Sequence, residues 1–238
     1  MLYEHCFSDP DTLLPALLDF CVQALREDLT TATAASCLLS GGTTPRSLYA
    51  LLASADLPWH LITPALVDER RVPVTDQASN EGLLRTIFRH NPTFLARLQG
   101  MASHESSAIA AQRDCEARYA ALPQPWSFCL LGLGSDGHTA SLFPGASGLR
   151  EALQGQHLCQ AITAQPSTVT GNHTERLTLT LAGLRRARRL ILYFTGAGKW
   201  QVYQTALRCH DKEDHRMQLP VAAVLQQTDA PVHIFYHP

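Results

Sequence analysis

A chain of 238 residues, 45% apolar and 17% charged, is long enough to bury a full core and has the balance of an ordinary globular protein rather than a disordered or fibrous one. Its formal net charge of -2 gives no electrostatic basis for a nucleic-acid or membrane-surface partner. Seven cysteines without a C-x-x-C spacing read as core thiols of a reducing compartment, and the histidines and cysteines lack zinc-ligand spacing, so neither a disulfide framework nor a metal site is expected.

The elements follow in chain order. "LYEHCF" reads as a first strand, and Asp9-Pro10 opens a helix to about Arg26 with leucines at 13, 14, 17, 18 and 25. The start of the chain carries Glu4, Asp9, Asp11 and Asp19 and has no basic stretch leading into an apolar core, which argues against a secretory signal. "ASCLLS" is a buried strand, followed by a Gly-Gly turn and a helix from Pro45 to about Ala53. "LITPALV" is a strand weakened by Pro64. Helices are expected near 79–89 and 105–121, then a central strand in "WSFCLLG". "RLTLTL" alternates, which predicts one exposed face; the arginines from 176 to 189 read as a solvated helix face. "RRLILYF" is again buried, a helix runs from Ala197 to about Cys209, "LPVAAVLQQ" is a short helix and "PVHIFYH" a last strand, in which His233 and His237 cannot meet as they would on a helix.

Strands and helices alternate and the strands are nearly continuous apolar runs, which predicts an α/β fold with a mostly parallel sheet covered by helices on both faces. No repeat or linker interrupts the pattern, so residues 1–238 are expected to form one domain. No apolar run reaches the roughly 18 to 20 residues that span a bilayer, and a cytoplasmic location is expected.

Gly132-Leu133-Gly134-Ser135-Asp136-Gly137 matches the glycine spacing of dinucleotide loops. That loop needs a long following helix and an acidic residue at the end of the next strand. Here Pro144, Gly145 and Gly148 limit any helix to about two turns, and Glu151 opens a helix-like segment. What remains is a glycine turn at the carboxyl end of a central strand, where open α/β sheets bind ligands. It presents His138, the side chain best matched to proton transfer near neutral pH; the alternative is that His138 only caps a short helix.

In a parallel sheet the other strand-end loops converge on the same edge. "LLSGGTTPRSLY" offers Gly41, Gly42, Thr43 and Thr44 at a helix start, a recipe for holding phosphate or for an ordinary tight turn. It lacks the lysine of a nucleotide P-loop, which favours a sugar phosphate. Asp68, Glu69, Arg70 and Arg71 follow a strand directly, as anion-binding residues or as a surface ion-pair cluster. Lys199 stands in the first turn of a helix, where its charge opposes the helix dipole unless an anion lies between. Together these loops describe a site for a small phosphorylated molecule with one general acid/base.

The order of "LSGGTTPRSLYALLA", "DERRVP" with "SNEGLL", "LLGLGSDGHTASLFPG", "ERLTLTLAGLRRARRLILYFTGAGKW" and "LPVAAVL" resembles the 6-phosphogluconolactonases from about residue 38 to 225. The resemblance implies a Rossmann-like α/β domain and hydrolysis of 6-phosphoglucono-δ-lactone in the oxidative pentose phosphate pathway, without a cofactor. It implies His138 as catalytic base and acid and Asp68 as the group orienting water or His138. It implies Gly41, Gly42, Thr43 and Thr44 as the phosphate cradle, assisted by Arg70 and Lys199, with Arg176 a further contact to the anionic substrate. The expected partner is a small phosphorylated lactone bound by a monomer, with no nucleic acid and no membrane. Val67, Ala78 and the ending "HIFYHP" depart from the pattern and bear on the sheet edge and tail. Two rivals stand beside this reading. An amino-sugar-phosphate deaminase would carry a glutamate-proline block where this chain has Ser141-Leu142-Phe143-Pro144; a sugar-phosphate sensor would have no use for His138 and Asp68.

Overall fold

The computed structural model describes residues 1–102, 105–209 and 213–238. The chain begins with β1 (Leu2–Cys6), α1 (Pro10–Leu29), β2 (Ala35–Leu39), α2 (Arg46–Ala53), β3 (Ile62–Leu66) and β4 (Asp68–Arg70). It continues through α3 (Asn80–Ile87), α4 (Pro92–Arg97), α5 (Ala108–Ala120), β5 (Phe128–Leu131), α6 (Leu149–Gln154), β6 (Cys159–Thr163) and β7 (Glu175–Leu179). It closes with α7 (Leu181–Leu184), β8 (Leu190–Thr195), α8 (Ala197–Arg208), α9 (Glu213–Gln218), α10 (Val221–Gln226) and β9 (Val232–His237).

Six strands form a parallel sheet in the order β1-β9-β8-β5-β2-β3. β2 and β5 are buried at every position, as strands covered on both faces must be. Side-chain alternation shows the two coats: His5 on β1 meets Phe20 of α1, whereas Glu4 accepts a hydrogen bond from Tyr203 of α8. Pro64 is accommodated because β3 is the outermost strand, and its carbonyl still accepts the Gln99 N–H at 2.8 Å. β2 passes the chain to β3 on one flank, while β5 lies on the other and leads towards β8. The winding therefore reverses between β2 and β5, and the crevice above their carboxyl ends is where such a sheet receives ligands.

A second, antiparallel sheet, β4-β7-β6, was not foreseen from the sequence, where β4 is only three residues long. Val67 is the junction. Its N–H donates to Leu39 of β2 at 3.0 Å and its carbonyl accepts the Leu179 N–H of β7 at 2.8 Å, so the backbone leaves one sheet and enters the other within a residue. The expected exposed face of "RLTLTL" is corrected here: Arg176 and Thr178 are 3% and 0% exposed, because their face is a wall of the crevice rather than an outer surface. The arginine cluster is corrected too. Arg185, Arg188 and Arg189 lie on the connection from α7 into β8, not on a helix face, and pair with Asp229, Asp28 and Glu27. The tail keeps regular geometry, with β9 in register on β8 as far as Thr195 and His237.

His233 meets His5, not His237: the two ring nitrogens are 3.2 Å apart, with Phe20 packed against His233. Burial first, then the proximity of His5 and Arg189, pulls the His233 pKa down to about 4. Between about pH 4 and the ordinary histidine value near 6.5 the unfolded chain therefore holds the proton and the folded chain does not, so this group makes stability rise with pH in that window. His233→Phe, which keeps the ring packing, is expected to lose less melting temperature than wild type between pH 7 and pH 5. Equal losses would contradict the assignment.

Candidate active site

The crevice above β2 and β5 holds a cavity of about 300 Å³, at the small end for ligand pockets. Two helices begin at it without a side-chain cap. α2 follows Ser40-Gly41-Gly42-Thr43-Thr44-Pro45, and α8 follows Gly196. Gly42 and Gly196 have φ of +95° and +92°, a conformation that glycine adopts without steric cost. A Cβ at Gly42, Gly132, Gly196 or Gly198 would meet nothing within 4 Å, so these loops present bare backbone to open space. Uncapped N–H groups at helix starts attract anions. Lys199, in the first turn of α8, is half-buried, and that burial pulls its ammonium below the usual lysine range.

The opposite wall comes from the small sheet. Asp68 and Arg70 share one face of β4, in register with Thr178 and Arg176 of β7. Two arginines directly opposed across a ladder repel; an anion bound between them would relieve this. Arg176 donates to the carbonyls of His173 and Thr170 at 2.7 and 2.8 Å, and its Cζ lies 5.5 Å from the centre of the Phe143 ring. Burial draws its pKa down, with Asp68 opposing and Arg70 adding to the fall.

Asn80 ties the wall to the Gly41–Thr44 loop. Its amide donates to the Asp68 carbonyl at 2.9 Å and its Oδ1 accepts from Arg70 at 3.1 Å. A Cβ on Gly41 would fall 1.8 Å from that same Oδ1, so glycine there is what lets Asn80 in. Glu69, on the other face of β4, accepts from the N–H groups of Asn80 and Glu81 and from the Ser79 hydroxyl, which fixes α3 beneath the site. Burial pushes its carboxyl up despite those donors.

His138 sits in the turn after β5. No helix forms between Gly137 and Leu149, so the alternative that His138 caps a short helix is excluded, as is the long helix of a dinucleotide loop. Gly137, with φ of +84°, turns the chain back so that Gly134 N–H donates to the His138 carbonyl at 2.9 Å. The same turn brings His138 Nδ1 to 2.5 Å from Asp136 Oδ1. Burial pushes the Asp136 carboxyl up, but the hydrogen bond and charge of His138 outweigh this and hold it below the usual aspartate range. An ionised Asp136 accepts, so Nδ1 carries a hydrogen, and in the neutral ring Nε2 is the acceptor. Phe143 packs on the imidazole with ring centroids 4.3 Å apart. Between them Ala140 takes a φ of +49°, an uncommon conformation for a residue with a Cβ.

The cavity is lined by all of the residues expected from the sequence: Gly41, Gly42, Thr43, Thr44, Asp68, Arg70, His138, Arg176 and Lys199. One expected contact is corrected. Asp68 does not hold His138: its carboxylate accepts from Ser141 Oγ at 2.6 Å and faces Asn80, and the partner of the imidazole is Asp136. Asp136, Asn80, Ser141, Phe143 and Tyr193 were not among the expected residues, although Asp136-Gly137-His138 and Ser79-Asn80 stand within the segments that were singled out.

The sequence model of the glucosamine-6-phosphate isomerases/6-phosphogluconolactonase family matches residues 8–233. The chain belongs to this family. Among curated members, a 6-phosphogluconolactonase of Caulobacter vibrioides is 37% identical, with 92% of each chain covered, and one of Rhizobium meliloti is 33% identical, with 98% of each covered. The crystal structure of a 6-phosphogluconolactonase from Shewanella baltica superposes with a TM-score of 0.90 at 32% identity, covering 100% of this chain and 98% of that one. A monomeric glucosamine-6-phosphate deaminase shares the fold, at a TM-score of 0.77 and 18% identity.

Proposed function

We propose that this member of the glucosamine-6-phosphate isomerase/6-phosphogluconolactonase family hydrolyses 6-phospho-D-glucono-1,5-lactone to 6-phospho-D-gluconate, a step of the oxidative pentose phosphate pathway, with no cofactor. The observation that carries the reading is an imidazole held by Asp136 through Nδ1, with no hydrogen-bond partner at Nε2 among the described residues, on the same cavity as Lys199 and the opposed Arg70 and Arg176.

In this mechanism Nε2 of His138 takes a proton from water as its oxygen attacks the lactone carbonyl. The tetrahedral oxyanion collapses, the bond to the ring oxygen breaks, and that oxygen receives the proton back from His138. Asp136 fixes the tautomer and stabilises the imidazolium between the two transfers. Gly41, Gly42, Thr43 and Thr44 cradle the phosphate with Arg70 and Lys199, and Arg176 meets the anionic substrate. Anchoring the phosphate sets the distance from carbonyl to base, so the cradle supplies proximity as well as affinity. Asp68, bonded to Ser141 and facing Asn80, positions the His138–Phe143 loop against β4 and contacts the attacking water.

Phe143 weighs against the deaminase rival, because it puts an apolar ring beside the imidazole where that chemistry would need a carboxylate. The protein is read as one domain over residues 1–238, acting as a cytoplasmic monomer without nucleic-acid or membrane partners. The free cysteines fit a reducing compartment and the small net charge offers no attraction to a polyanion, and among the described residues no helix is long and apolar enough to cross a membrane. The test offers the protein the phosphorylated lactone and glucosamine-6-phosphate in parallel. Saturable acid release from the first with no ammonium from the second is expected; the reverse would establish the deaminase.

A further inference from the structure

Tyr193 lies near the carboxyl end of β8, is 7% exposed and lines the cavity. The phenols of Tyr49 and Tyr119 donate to the carbonyls of Ser40 and Leu66, and that of Tyr203 to Glu4. The Tyr193 hydroxyl has no hydrogen-bond partner among the described residues, nor is it among the polar atoms sealed from solvent. The hydroxyl is therefore open to the cavity that Tyr193 lines, so its partner there is solvent or a bound ligand.

The surroundings define that partner. Leu131 of β5 is in register with Leu192, so Gly132 comes next alongside Tyr193, and a Cβ there would touch nothing within 4 Å. Six residues on, Lys199 reaches the same cavity from α8, whose first turn is uncapped and opens with the bare backbone of Gly196 and Gly198. Tyr193 and Lys199 therefore stand on the β8 flank of β5, apart from the β4–β7 wall. A lysine, free helix N–H groups and a neutral phenol donor form a set suited to a phosphate oxygen rather than to a carbonyl carbon.

We propose that Tyr193 is a specificity-determining residue that donates its hydroxyl hydrogen to a non-bridging oxygen of the substrate phosphate beside Lys199. Burial, which pushes the phenol up from its ordinary pKa, keeps that hydrogen in place at neutral pH. The substrate follows from the lactonase reading, whereas the phosphate contact is testable without turnover. Tyr193→Phe removes one oxygen and keeps the ring. It is expected to raise KM about ten-fold, to change kcat much less, and to weaken inhibition by inorganic phosphate by the same factor as KM. Titration of inorganic phosphate into both proteins, with matching melting curves, reads the contact directly. Unchanged phosphate affinity would overturn the proposal even if KM rose, since the hydroxyl would then serve the sugar ring. A loss confined to kcat would overturn it as well. If wild type bound phosphate more tightly than the variant but opened no lactone, the lactonase reading would fall and the role of Tyr193 would stand.

Discussion

His138→Ala is expected to lower kcat for lactone opening by about 10²–10⁴-fold, the range for loss of a positioned general acid/base. Affinity for 6-phosphogluconate should stay within a few-fold of wild type. The reason lies in the division of the cavity. On the proposed reading the donors for the phosphate come from the β2–α2 loop, from α8 and from Arg70, none of which hydrogen-bonds the imidazole. Removing the ring takes away the proton acceptor and the partner of Asp136, and it leaves the cradle intact. Product affinity is read by calorimetry and kcat by acid release corrected for spontaneous opening. A variant that kept most of its kcat would remove His138 from the chemistry. One that lost product binding as severely as rate would assign it to binding instead.

The second large effect comes from a position that donates no side chain. Gly134 does not have a positive φ, so alanine is conformationally allowed there. The obstacle is space: a Cβ would lie 2.0 Å from His138 Nδ1 and 2.6 Å from Asp136 Oδ1. The imidazole and its carboxylate must then part or move together by about an ångström, and a displacement of that size at a reacting group costs on the order of 10²-fold in rate. Gly134→Ala should therefore lower kcat about 100-fold with little change in melting temperature, since the clash falls on two partly exposed side chains rather than on the core. Full activity in this variant would mean that the His138–Asp136 geometry does not limit the rate.

These two variants also mark where reading the sequence succeeds and where it stops. The buried runs around Cys37, Cys129 and Ile191 announce a parallel sheet, because strands covered on both faces need no polar alternation. Once the sheet is parallel, every glycine-rich strand end must converge, so residues as far apart as Gly41 and Lys199 could be assigned to one cavity before any coordinates. The failures have a common origin in register and turn geometry. "RLTLTL" alternates as a half-exposed strand does, but both of its faces are buried, and the polar one is covered through β4, three residues long and without a pattern of its own. The opposition of Arg70 and Arg176 exists only through that pairing. Asp136 reaches the imidazole because Gly137 takes a positive φ, so the residue two before the histidine becomes its partner and Asp68, the more obvious carboxylate, does not. Asn80 is legible only once the missing Cβ of Gly41 is seen as the space it fills.

The most direct test of the account is the progress curve of freshly generated 6-phospho-D-glucono-1,5-lactone opening at neutral pH, with wild-type protein against buffer alone. Acid release is expected to rise in proportion to protein, to saturate with lactone and to be inhibited by inorganic phosphate. Opening no faster than in buffer, with protein that still binds inorganic phosphate, would contradict it and leave a cavity that binds phosphate without performing the hydrolysis.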